Sequence, residues 1–124
     1  MDTIEDLQTD RRFKEALRLF NSGAWYNAHD AFEELWHETY GPERLVLQGL
    51  LQVSVAQVHL ERGNLRGATI LYGEGLGRLK RNAIPDLGLN LQKFCKSLEV
   101  RLKTLQQQKD IFECKKLFLE RKEK

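Results

Sequence analysis

Apolar residues recur at helical spacing along nearly the whole chain, and no segment keeps the alternation of a half-buried strand. Phe13, Ala16, Leu17 and Phe20 fall at i, i+3, i+4 and i+7 and predict a first helix over about 9–21, which Asn21-Ser22-Gly23 stops. A second helix, over about 25–39, puts Trp25, His29, Phe32, Glu33 and Trp36 on one stripe. Gly41-Pro42-Glu43 makes a tight corner, with Pro42 placed to start the next helix. The third helix, over about 43–62, is the most apolar. Leu47, Leu50, Leu51, Val55 and Val58 cover much of its circumference, so neighbours on several sides are expected. Arg62-Gly63-Asn64 supplies a glycine stop and an N-cap. A fourth helix then runs to about Arg81 on Ala68, Leu71, Tyr72, Leu76 and Leu79. After a Pro85-Asp86-Leu87-Gly88 loop, Leu91, Phe94, Cys95, Leu98, Leu102 and Leu105 predict a fifth helix over about 90–107. Phe112 and Leu119 keep its seven-residue step, so the tail from Lys109 is expected to continue it.

A repeat lies beneath these helices. Gly23-x-Trp25-x-x-Ala28 recurs 40 residues on as Gly63-x-Leu65-x-x-Ala68, and the same displacement maps Phe32 onto Tyr72 and Trp36 onto Leu76. A glycine turn followed by an apolar and then a small residue suits helix hairpins that pack closely. The expected fold is all-α: a single-domain bundle of five to six helices built from two stacked hairpins, a distorted relative of tetratricopeptide repeats. Residues 1–124 form one domain in this reading, with a core at about 13–80 and a basic helical region at about 89–124.

Composition narrows the class further. In 124 residues, 41% hydrophobic and 31% charged with two prolines, there is neither a disordered polymer nor a disulfide scaffold. The longest charge-free stretch, Leu45–Leu60, is 16 residues with several polar side chains, too short and too polar to span a bilayer. The Met1–Asp6 start carries no basic or apolar leader, so the cytoplasm or a plastid-type reducing compartment is expected. Cys95 and Cys114 fit no zinc spacing and are expected as free thiols. Residues 1–62 hold 6 basic against 11 acidic side chains, a balance of −5, whereas residues 63–124 hold 14 against 7, a balance of +7. Such asymmetry fits a basic surface, two faces that attract within the fold, or attraction between subunits. Between Asn82 and Ile111 the basic residues are interleaved with one aromatic, Phe94, which argues against nucleic acid. The remaining partner class is a protein or a second copy, met through the long apolar row of the fifth helix.

Candidate chemistry gathers in one place. His29 and Glu33 share a face of the second helix, and Gln48, Gln52 and His59 lie close to one face of the third. The corner at residues 40–42 sets the two helices antiparallel, with position 29 expected opposite about 55–59 and position 33 opposite about 51–52. His29, Glu33, Gln52 and His59 are therefore expected to converge in an apolar seam beside Trp25 and Trp36, with Asp30, Glu34, Arg62 and Asn64 nearby. One reading is a hydrogen-bonded network that fixes helix register. A second is a divalent metal held by His29, Glu33 and His59, the one cofactor such a cluster would take. A third is a small-ligand or acid–base site, an enzyme using His29, Glu33 and His59 with Glu33 as base, for which no nucleophile is evident. Elsewhere, Gly73-Glu74-Gly75-Leu76-Gly77 follows no strand and lacks the ending of a phosphate loop. Its glycines within a helix point instead to close backbone approach. His37 is expected exposed, and Arg62 as a cap residue able to pair with Asp30 or Glu33.

These residues carry a family likeness. Phe20-Asn21-x-Gly23-x-Trp25-Tyr26-x-Ala28-His29-Asp30-x-Phe32-Glu33-Glu34-x-Trp36, Gly41-Pro42-Glu43-Arg44, Gln48-Gly49-Leu50-Leu51-Gln52 and Arg62-Gly63-Asn64-x-x-Gly67-Ala68 resemble the signature of the domain of unknown function 309 family. The resemblance covers about residues 13–80. It implies a small all-helical protein of bacteria, archaea and plastid-bearing organisms with no established activity. His29, Glu33, Glu34, Trp36, Gln48, Gln52, His59, Arg62 and Asn64 match that pattern. Asp30 replaces the usual glutamate and His37 the usual basic residue.

Overall fold

A computed structural model describes residues 6–122. The Met1–Glu5 stretch, on which the expectation of no leader partly rests, lies outside them. Five α-helices follow in order: α1 (Arg11–Asn21), α2 (Trp25–Glu38), α3 (Pro42–Glu61), α4 (Leu65–Leu79) and α5 (Leu91–Gln106). Single turns of 3-10 helix at Leu7–Thr9 and Ile111–Glu113 flank them, and among the described residues the only β pairing is the isolated bridge Leu89–Arg121. Each helix packs against its neighbours in the chain, so α3 lies between α2 and α4. Phe13, Phe20, Phe32, Leu35, Leu47, Leu50, Tyr72, Phe94 and Leu98 fill one continuous core. Among the described residues no helix is long and apolar enough to cross a membrane.

Helix boundaries follow local chemistry. Asp10, Asn64 and Asn90 each accept a backbone N–H at the start of α1, α4 and α5, from Arg12 (2.8 Å), Gly67 (2.9 Å) and Lys93 (3.1 Å). Losing the Asn64 cap by Asn64→Ala is expected to cost about 1 kcal/mol, read as a lower denaturation midpoint in urea. The 40-residue repeat has a concrete structural meaning. Gly23 and Gly63, with φ of 87° and 79°, close α1 and α3 in the same way. Ala24 N–H donates to Leu19 and Gly23 N–H to Phe20; Asn64 N–H donates to His59 and Gly63 N–H to Leu60. These are two Schellman caps at equivalent places. Ala28 and Ala68, and Phe32 and Tyr72, are equivalent and fully buried, whereas Trp25 is buried and its counterpart Leu65 exposed. Trp25 owes its cover to Phe20, 4.9 Å away between ring centroids, which in turn meets Phe94 of α5 at 5.8 Å.

Close approach at the glycines is selective. A Cβ on Gly75 would stand 3.0 Å from the Gly49 carbonyl oxygen and 2.9 Å from Val53, and one on Gly49 would stand 2.9 Å from Leu79. The backbones of α3 and α4 therefore meet at this pair. Gly73 and Gly77 face open space.

The expected basic helical region at 89–124 needs correction. Among the described residues it is α-helical only over Leu91–Gln106. Gln108 adopts φ 56°, and the chain then runs mostly extended back across α1. Phe112, the next residue in the seven-residue step, is 90% exposed, whereas Leu117 and Leu119 are buried. The reason is tertiary. Asn21 of α1 offers its side-chain amide to the Leu119 peptide in both directions (Nδ2 to O 3.0 Å; N to Oδ1 2.8 Å), and Asn90 and Gly88 pair with Glu120 and Lys122. Two leucines entering the core and a matched row of backbone partners outweigh a lone helical extension in water.

Candidate functional site

Across the seam between α2 and α3 the Arg44 guanidinium carbon lies 3.9 Å from the Trp36 indole centroid. The side chains expected to meet there take different partners: Gln52 bonds to Glu74 and Arg78 of α4, His59 meets Asn64, and the ligand atoms that gather around His29 come from Asp30 and Glu33.

The residues instead divide into three groups. On α2, His29 Nδ1 lies 3.3 Å from the Asp30 carboxylate, and His29, Asp30 and Glu33 each bring a ligand atom within 4.8 Å of the others. His29 and Glu33 are half-buried, with 22% of the His29 side chain accessible; Asp30 and Glu34 are exposed. On α3, Gln52 turns to α4, donating from Nε2 to Glu74 (2.8 Å) and accepting from Arg78 at Oε1 (3.1 Å). Gln48 is half-buried. At the far end His59 Nδ1 meets Asn64 Nδ2 at 3.2 Å, coupling it to the α4 cap. His59 therefore stands apart from the metal-competent group, and Asp30 takes the place expected for it. Arg62 is exposed at the end of α3, and His37 is exposed beside Trp36.

The polar groups that are buried are different ones. Tyr72 Oη donates to Gln57 Oε1 between α3 and α4. Arg101 of α5, 6% exposed, donates from Nη2 to the Lys115 carbonyl (2.7 Å), and its Nε–H has no partner. Burial pushes the Tyr72 phenol up to about 12, against a smaller opposing pull from Arg101. A signal for this pair was present in the repeat: Tyr72 occupies the position of the fully buried Phe32, and a phenol there requires a hydrogen-bond partner. Gln57, on the apolar side of α3 beside Val53 and Leu50, is that partner.

Among the described residues, the Lys and Arg ion pairs do not join the acidic half to the basic half. Arg12 with Asp10 and Glu38, and Arg18 with Glu15, stay within the acidic half; Lys80 with Glu99, Lys93 with Glu120, and Lys122 with Asp86 stay within the basic half. Both cysteines are free, Cys95 buried in α5 and Cys114 partly exposed, its thiol 3.4 Å from Thr104 Oγ1.

No curated protein matches the chain. The family comparison is positive and falls on the helices that carry the polar groups. The matched stretch starts within α1, contains all of α2 and α3, and ends within α4, and so takes in His29, Asp30, Glu33, Gln48, Gln52, Gln57 and His59. Residues 13–71 match the family model described as Domain of unknown function (DUF309), a family without a characterised activity, and that segment is a domain of this family.

Proposed function

We propose that the chain is a helical binding or scaffold module whose docking face is the polar row across α2, α3 and α4: His29 and Glu33, Gln48 and Gln52, Glu74 and Arg78. The supporting observation is the double anchoring of Gln52 by Glu74 and Arg78. A half-exposed amide on the central helix, fixed from the neighbouring one, offers hydrogen-bonding groups in a set geometry and so loses little entropy on meeting a partner. Its half-exposed setting favours capture of a partner over acid–base chemistry, which depends on excluding water. Chemical crosslinking of the full chain in cell extract, wild type against a His29→Ala/Gln52→Ala double variant, tests the reading. A discrete crosslinked partner that disappears in a double variant of unchanged melting temperature is the expected result. A partner retained equally by both proteins overturns it.

A second reading is a divalent-cation site on α2, favoured by the 4.8 Å spacing of the His29, Asp30 and Glu33 ligand atoms. An imidazole and two carboxylates suit zinc or iron with positions left for water or a partner's ligand. Calorimetric titration with zinc(II) is expected to give one ion per chain, with uptake abolished by His29→Ala. Unsaturable heats identical in the variant would remove the cation and leave the docking face.

A further inference from the structure

The carboxy-terminal strap occupies its groove as a bound peptide would. Leu117 and Leu119 point into the core while Lys116, Phe118 and Glu120 point out. One edge of the strap pairs with the Asn21 amide, and Asn90 N–H donates to the Glu120 carbonyl (2.8 Å) while Lys122 N–H donates to Gly88 (2.8 Å). Arg121 donates to the Gln8 carbonyl (3.1 Å) and lies over the Phe13 ring. This is recognition of an extended segment by backbone pairing plus pockets for alternate side chains.

The link that delivers the strap is the weak element. Gln106 to Asp110 are all exposed. Lys109 N–H donates to Thr104 and Gln108 N–H to Leu105, the same Schellman pattern that closes α1 and α3. There the left-handed residue is Gly23 or Gly63; at α5 it is Gln108, with φ 56°. A side chain in that conformation is strained. Residues 107–122 contain no glycine or proline and continue the helical spacing of α5, so straightening the link into further helix relieves the strain. Strained short hinges favour exchange of the segment beyond them between copies.

We propose that the groove formed by α1, the 86–90 loop and the start of α5 is an interface between two copies of this chain, each receiving residues 115–122 of the other. Every strap contact is the same whether its own chain or the second copy supplies it, so the two forms differ mainly at the hinge. The exchange uses none of the residues of the polar docking face.

Sedimentation equilibrium on the full chain, refolded at high concentration, tests the exchange. A species of twice the 14.5 kDa chain mass is expected, in equilibrium with monomer. Gln108→Gly removes the hinge strain without touching the strap or the groove. With two hinges per dimer, each worth a factor of about five, it is expected to weaken the dimer roughly 25-fold. As a second variant, Leu119→Asp, checked for retained helical circular dichroism, is expected to be monomeric. If it fails to fold, Gln108→Gly decides alone. A 14.5 kDa monomer at every concentration, or a dimer whose strength Gln108→Gly leaves unchanged, overturns the proposal.

Discussion

Replacing Gly75 by alanine is expected to lower stability by about 1–3 kcal/mol, whereas the same change at Gly73 or Gly77 is expected to raise it by up to about 1 kcal/mol. The three glycines share one helix and a spacing of two residues, so intrinsic propensity treats them alike. Tertiary contact separates them. At Gly75 a methyl group would meet the Gly49 carbonyl oxygen at 3.0 Å and Val53 at 2.9 Å. The first of these neighbours is backbone, so α3 and α4 must move apart, and the shift spreads to Leu79 over Gly49. At Gly73 and Gly77 the added methyl meets nothing and the gain in helix propensity remains. Thermal unfolding of the three single variants checks this. Each kcal/mol corresponds to about 3–5 °C for a chain of this size, so opposite shifts of several degrees are expected. Three shifts of the same sign would mean that the α3–α4 contact does not pass through Gly49 and Gly75.

The second large effect concerns Tyr72 and Gln57. Tyr72→Phe leaves the buried Gln57 amide without its hydroxyl partner, and a loss of about 1–3 kcal/mol is expected. Adding Gln57→Leu removes the orphaned group, so the double variant is expected to recover most of that loss, a coupling visible in a double-mutant cycle. The same phenol gives a pH signature. Its folded value of about 12 lies above the 10.0 of an ordinary phenol, which means that the folded chain holds the proton more tightly than the unfolded one. Stability from this group is complete below pH 10 and is lost as pH rises through 12. Wild type is therefore expected to lose about 2–3 kcal/mol relative to Tyr72→Phe across that interval, the difference cancelling the lysines that titrate in both proteins. Parallel stability curves for the two proteins between pH 10 and 12 would show that the phenol is solvated.

Much of this architecture was legible because helix-forming information is local. Phe13, Ala16, Leu17 and Phe20 define the face of α1 by spacing alone, and all four are buried. Gly23 and Gly63 announced two equivalent hairpin corners, since few residues other than glycine close a helix in the left-handed conformation without strain. The polar row was harder. Period and corner placed His29 and Glu33 on α2 and Gln48, Gln52 and His59 on α3. What each of them met was decided by packing between helices: Gln52 is held by Glu74 and Arg78 of α4, and His59 by the Asn64 cap.

The tail marks the boundary most clearly. Its helical spacing is real in the sequence, yet Leu117 and Leu119 lie extended in the core while Phe112 faces water. By itself the sequence determined the helices α1 to α5, the paired hairpins, the apolar faces and the family of residues 13–71, because each is fixed by neighbours within a turn or two or by a repeated motif. The tertiary structure alone decided the anchoring of Gln52 by α4, the Tyr72–Gln57 pair, the Gly49–Gly75 crossing and the strap. Each of these joins segments 15 to about 100 residues apart, and the free energy that selects them comes from surfaces that exist only once the helices have packed.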